Sequence, residues 1–346
     1  MGKQLNLPLT DKVLPDTSLI AETITNQLSK ITPCILKLTG KMIIFNADNY
    51  NMRPIRGWPS NQVLEVRKFP VISQPTVLAS IDSSCIHIAD VEDGVIYAAR
   101  VAAVFFHDHN HQKHVRIGPI IFYLNEQNVS GLIEDYRLSK LILLEDSMAQ
   151  AMIRVRLERI FVMELALSLS EGVIMIDGSL RNSIFDVKDC TLMDILDKAK
   201  EKGNRVIGIS KSSKHRILNR LAGQLYSYSE SPIYADIHQL ISPIFRGVKG
   251  RILLVKFTDD GLVFRVDVGN FNFNTFKDTL SRVRYNDCFF GGYPESLRLA
   301  HHLSIFTRSE DTSIKSYLSK KVGIVELPAE DPRKIALGNL KIGSLR

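Results

Sequence analysis

The chain has 346 residues, enough for about two domains or one large one. Apolar residues make up 45% and charged residues 23%, which excludes a disordered, collagen-like or low-complexity chain. Lys plus Arg is 44 against 37 Asp plus Glu, a formal balance of +7, so an acidic partner such as nucleic acid fits the charge, as does a merely basic protein. Cys34, Cys85, Cys190 and Cys288 are scattered, with no CxxC zinc or redox motif, and suit a reducing, cytoplasmic setting. The first residues, MGKQLNLPLTDK, lack the apolar stretch of a signal peptide, and Asn6 stands where a myristoylation motif wants Ser or Thr. The longest apolar stretches, such as Val101–Phe106, are too short to span a bilayer.

In chain order, residues 1–75 read as an N-terminal extension. Leu19, Ile20, Ile24 and Leu28 share one face of a helix predicted over Thr17–Lys30, stopped by Pro33. Gly57, Pro59, Pro70 and Pro75 mark a loop-rich passage. Thr76–Ser84 reads as a buried strand. Ile86–Val91 and Val95–Phe106 read as two more, joined by a Glu92-Asp93-Gly94 turn. The tract HDHNHQKH (107–114) reads as a polar loop, and Val115–Leu124 as a returning strand. A long helix is expected over Leu138–Ser170, ended by Gly172. GVIMIDGS then reads as a central strand covered on both faces, Asp189–Lys202 as a helix and Asn204–Ser210 as a further strand. Antiparallel strands followed by alternating helix and strand imply an α/β fold, a mixed sheet flanked by helices. Further on, a hairpin is expected around Asp259-Asp260-Gly261 and a helix over Leu297–Phe306. The last 32 residues carry seven basic and three acidic side chains.

Two strands end in carboxylates beside small residues, at Asp82 (IDSS) and Asp177 (IDGS). A lone buried carboxylate is costly, and ligands of open α/β sheets sit at the carboxyl ends of strands. The alternative for each is a cap on the following turn. The intervening helix supplies the third acid. Asp177 lies about 17 Å down its strand from the turn at Gly172. Glu158 lies about 20 Å back along the helix, Glu164 about 11 Å and Glu145 about 39 Å. Glu158 therefore best matches the depth of Asp177, although a surface pair with Arg154 suits it equally. Asp on the first strand, Glu on the first helix and Asp on the fourth strand is the layout of ribonuclease H-like nucleases, whose carboxylates hold Mg²⁺ or Mn²⁺.

Taken together, IDSS (81–84), RLER (156–159), IDGS (176–179), GISK (208–211) and GYPESLRLAH (292–301) resemble the NurA nucleases, archaeal DNA-end-processing enzymes. The resemblance covers roughly residues 76–305, with Ser83 where the family more often has Gly. It implies a ribonuclease H-like core over about 76–212 within a nuclease domain of 76–305, and leaves 306–346 as a basic C-terminal segment. It implies metal-site roles for Asp82, Glu158 and Asp177 and active-site roles for Tyr293 and His301. It further implies 5′ to 3′ exonuclease action on single- and double-stranded DNA and single-strand endonuclease action. Mn²⁺ as the preferred cofactor with Mg²⁺ as the substitute, a homodimer, and a HerA-type hexameric ATPase partner in DNA end resection for recombinational repair complete the picture.

His301 suits metal ligation or proton transfer to a leaving oxygen. Tyr293 suits orienting water, stacking on a base, or plain core packing beside Pro294. Lys211, Lys214, Arg216 and Arg220 suit a phosphate backbone, or a solvated helix face. The histidine tract reads as a solvated loop that touches DNA rather than as a zinc site. The rival readings are a junction resolvase or transposase of the same core, and a non-catalytic DNA-binding adaptor. No Walker A motif occurs, so ATP-driven translocation belongs to another chain.

Overall fold

The computed structural model describes residues 35–39, 42–46, 63–188, 190–211, 216–245, 247–269 and 275–322. It divides into two units, Met1–Ser60 and Asn61–Arg346. In the first, β1 (Ile35–Thr39) and β2 (Met42–Asn46) pair antiparallel. The helix predicted over Thr17–Lys30 lies outside the described residues.

The second unit runs β3 (Val66–Lys68), β4 (Leu78–Val91), β5 (Gly94–His107), β6 (Asn110–Asn125), α1 (Glu126–Leu132), α2 (Tyr136–Leu144), α3 (Asp146–Ser168), β7 (Val173–Asp177), α4 (Leu192–Glu201) and β8 (Arg205–Ser210). It continues with α5 (Arg216–Tyr226), β9 (Ile233–Asp236), α6 (His238–Ile241), β10 (Arg251–Lys256), β11 (Val263–Val268) and α7 (Thr275–Asn286). The short pair β12 (Phe289–Phe290) and β13 (Tyr293–Pro294) follows, then α8 (Glu295–Ser304) and α9 (Arg308–Val322). Nine strands form one mixed sheet in the order β3-β9-β10-β11-β8-β7-β4-β5-β6. β4, β7 and β8 are mutually parallel at its centre and the other pairs are antiparallel. This is the mixed sheet flanked by helices that the sequence leads one to expect. No described helix is long and apolar enough to cross a membrane.

Period-2 alternation sorts the central strands onto two faces. Leu78, Met175, Ile207 and Ile209 face one core with Phe276 and Leu280 of α7 and Leu297 and Ala300 of α8. Ile81, Ile174, Ile176 and Val206 face the other, with Val162 and Leu165 of α3 and Leu192 and Ile195 of α4. β7 reads VIMID because both its faces are covered. Each fully buried Ile or Met contributes roughly 1.5–3 kcal/mol.

The structure corrects three expectations. Thr76–Ser84 and Ile86–Val91 form one strand, β4. A register shift between His87 and Ala89 absorbs the irregularity while pairing with β5 continues to Val91. The helix over Leu138–Ser170 is two helices, because Glu145 adopts an extended conformation (φ −125°, ψ 106°). The break lets Ile142 of α2 and Met152 of α3 enter the same core, and Asp146 accepts the Tyr97 hydroxyl at 2.7 Å. The histidine tract is not a loop. Asp108 and His109, both at positive φ, make a two-residue turn, and Asn110 onward is already β6.

The sheet also reaches beyond the core expected over 76–212. β3 comes from the N-terminal side and pairs with β9, while β10 and β11 lie further along the chain. In the C-terminal segment, Glu310 of α9 accepts Arg100 and Arg116 at 2.7 Å each. Arg100, with the Thr307 N–H, holds that carboxyl down at about 2. This ties α9 to β5 and β6.

Asp287, just after α7, is fully buried and accepts the Ser296 N–H at 3.1 Å and the Ser296 hydroxyl. No cation among the described residues offsets its desolvation, and burial pushes the carboxyl up to about 7. The folded value lies above the unfolded one, so its contribution to stability is complete below about pH 4 and is lost as pH rises through 7. Asp287→Asn is therefore expected to flatten the decline of Tm between pH 5 and 8. An unchanged slope in thermal melts at stepped pH sinks that assignment.

Candidate active site

β4 and β7 are in register at Ile81 and Ile176, so the next residues, Asp82 and Asp177, sit side by side on parallel strands. Both isoleucines face α3 and α4, and alternation turns the two aspartates to the opposite face, toward α8. There His301, late in α8, meets Asp82, with Nδ1 2.7 Å from Oδ2. Ligand atoms of Asp82, Asp177 and His301 all lie within 4.8 Å of one another, and no other such group occurs among the described residues. Burial first, and the adjoining Asp177 charge second, raise the Asp82 pKa above the usual carboxylate range.

Two carboxylates and an imidazole form the donor set of a Mn²⁺ or Mg²⁺ site with open positions. Mutual repulsion of the two acids is what a divalent cation relieves. Lys211, immediately after β8, already offsets part of it with Nζ 2.6 Å from Asp177 Oδ2, and the same ammonium lies 5.4 Å from the centre of the Tyr293 ring. Tyr293 donates its hydroxyl to Asp177 Oδ1 at 3.3 Å. Burial and that carboxylate push the phenol far up, so it remains a donor at any working pH. The ring also packs at 5.3 Å on Phe264, so Tyr293 is both a core residue and a site residue.

Glu158 is placed differently. It lies on α3, across the sheet from α8, and takes its hydrogen bond from the Ser83 hydroxyl, the side chain that alternation turns toward α3. The depth estimate finds the right level on the helix, but strand alternation decides the face. Glu158 still borders the site, because with Asp177, Arg159 and Arg181 it lines a cavity of about 380 Å³. Burial pushes its pKa up to about 7. Below that pH it holds a proton, and a nearby cation favours the ionised form. Affinity for Mn²⁺ is thus expected to rise between pH 6 and 8, with Glu158→Gln shallower than wild type by isothermal titration.

Glycines shape the turn that follows Asp177. Gly178 sits at φ +125°, and a Cβ on Gly208 of β8 would approach the Gly178 carbonyl to 2.5 Å. The bare Gly208 lets the turn cross β8, where Leu180 N–H reaches Asp267 at 3.0 Å. Arg159 and Asp186, both buried and paired at 2.8 Å, brace the following loop, and Arg159 also holds the Arg181 carbonyl. Sequence reasoning overlooks this brace and the Arg265–Asp267 pair of β11. Alternating charges inside the apolar run VFRVDV are the signal that marks the latter.

Of the basic residues proposed for DNA, Lys211 meets the site and Arg220 is exposed on α5. Lys214 and the side chain of Arg216 lie outside the described residues. His302 is exposed, away from the Asp82 contact of its neighbour. The tract His107, His109, His111 and His114 gathers no metal-binding group among the described residues, and the rings of His111 and His114 stack at 5.5 Å.

The chain is similar to several known proteins. The crystal structure of the NurA nuclease from Sulfolobus solfataricus matches at 17% identity with a TM-score of 0.47, over 74% of this chain and 87% of that one. A NurA structure bound to dAMP and manganese matches at 11% with 0.46, over 90% and 98%. Ciona intestinalis endonuclease V in complex with DNA matches at 14% with 0.38, over 87% and 100%. A search of curated proteins by sequence finds no match. The family model described as the NurA domain matches residues 76–304, about two thirds of the sequence, and the chain therefore belongs to the NurA family.

Proposed function

We propose that the protein is a divalent-metal-dependent DNA nuclease whose cation is held by Asp82, Asp177 and His301. The observation that carries this reading is the gathering of those three ligand atoms within 4.8 Å on central parallel strands and one helix. A cation bound there neutralises charge at the phosphodiester and lowers the pKa of a coordinated water. Glu158, pushed up to about 7 by burial, would accept a proton in the cavity that it lines with Asp177. Lys211 exchanges its Asp177 partner for a substrate phosphate, and Tyr293 keeps Asp177 oriented through its hydroxyl. Nδ1 of His301 is engaged with Asp82, which leaves Nε2 as the nitrogen that would face the cation.

In this reading the nuclease domain spans 76–305, between the extension 1–75 and the basic segment 306–346. It degrades DNA 5′ to 3′ from single- and double-stranded ends, cuts single strands internally, prefers Mn²⁺, and works in the cytoplasm with a HerA-type ATPase in end resection for recombinational repair. Family membership supports these finer properties. The homodimer has support from the edge strand β6, which leaves Val115, Ile117, Ile121 and Tyr123 exposed.

Purified protein is expected to degrade end-labelled DNA with Mn²⁺, to stop on addition of EDTA, and to release a 5′ label before a 3′ label. An intact substrate in both Mn²⁺ and Mg²⁺ refutes the nuclease reading, and early loss of a 3′ label refutes the polarity.

A further inference from the structure

Beside Lys211 a slot of about 230 Å³ opens between α5 and the face of β10 and β11. Leu218 and Ala222 of α5 and Leu254 of β10, all buried, make its apolar walls. Ser210, Lys211 and three further polar side chains line it. The Asn219 amide has no hydrogen-bond partner among the described residues. Tyr226 accepts the Val263 N–H at 3.3 Å and retains its own proton to donate. Arg265 is nine-tenths buried and spends Nε and Nη2 on Asp267 at 2.8 Å each, so Nη1 has no partner among the described residues. Apolar walls with a few fixed donors and an amide that both gives and accepts form the environment that holds a planar heteroaromatic ring by its edge.

We propose that this slot receives the unstacked nucleobase of the nucleotide next to the bond being cut. The inference rests on the nuclease reading above, because Lys211 joins the two places: its ammonium is at Asp177, and the same residue lines the slot. A phosphate exchanged onto Lys211 brings the attached base to the slot mouth. One base must then leave its stack for each cut, so cleavage proceeds on frayed or single-stranded ends and stalls where the terminal pair is locked.

The test uses a single-stranded oligonucleotide carrying one abasic site, with products mapped to single-nucleotide resolution in Mn²⁺. Wild type is expected to cut the bond beside the abasic site about tenfold more slowly than the same bond in the intact strand. Ala222→Met fills the slot and Asn219→Ala removes its amide. Both suit a helix, and both are expected to lose that difference. A parallel strand with one 2-aminopurine, mixed with protein in EDTA, is expected to change its emission with wild type but not with Ala222→Met. Equal rates at intact and abasic positions overturn the slot while leaving the nuclease reading standing. A 2-aminopurine signal that depends on Ala222, with no cleavage in Mn²⁺, does the reverse.

Discussion

Asp177→Asn is expected to lower Mn²⁺-dependent cleavage by on the order of 10³-fold, the several kcal/mol that a positioned cation contributes to phosphodiester cleavage. The amide keeps the shape and accepts the Tyr293 hydroxyl, so the fold is undisturbed. It cannot share a divalent charge with Asp82, and Lys211 loses its salt-bridge partner at 2.6 Å. In EDTA the variant is expected to melt no lower than wild type, because repulsion between the two aspartates is gone. Only the wild type should gain Tm on addition of Mn²⁺. Retained cleavage alongside a normal melt contradicts the cation site, whereas a collapsed melt in EDTA shows Asp177 to be structural.

Arg159→Ala is expected to be the costliest single change to stability, at about 3–5 kcal/mol. It strands the buried Asp186 carboxylate and the Arg181 carbonyl. For a domain of this size that is a fall in Tm of roughly 10 °C, read by calorimetry. Replacing both partners with apolar residues, Arg159→Met with Asp186→Leu, is expected to recover most of the loss, because no charge is then left buried alone. If the double variant melts as low as the single one, the pair matters for something other than its charge. The brace lies in the loop that leaves Asp177, so the single variant is also expected to bind Mn²⁺ more weakly.

How much of this was legible from sequence depends on the range of the physics. Apolar runs ending in IDSS and IDGS reveal strands whose last residues are exposed to chemistry, and the structure places those two aspartates in register. The helix depth of Glu158 follows from rise per residue. That it bonds Ser83 rather than joining the group of Asp82, Asp177 and His301 does not, because that rests on which face Ser83 takes in a strand buried on both sides. Leu138–Ser170 reads as one helix because propensity is continuous through Glu145, and the break comes from two helices sharing one core. The histidine tract reads as a loop because polarity imitates one, yet an edge strand tolerates polar residues on its outer face. Arg159–Asp186 and Arg265–Asp267 are tertiary pairs. Charges in otherwise apolar segments hint at such pairs without naming the partner.

The contact between Asp82 and His301 joins positions 219 apart in the chain. One arrives early, on β4, and the other on the penultimate described helix. A nascent chain emerging from the ribosome therefore holds both aspartates well before it holds the imidazole that completes the set. On the proposed cation site, translation completes the ligand set only when the domain is nearly whole, and a fragment released early would carry the sheet without it.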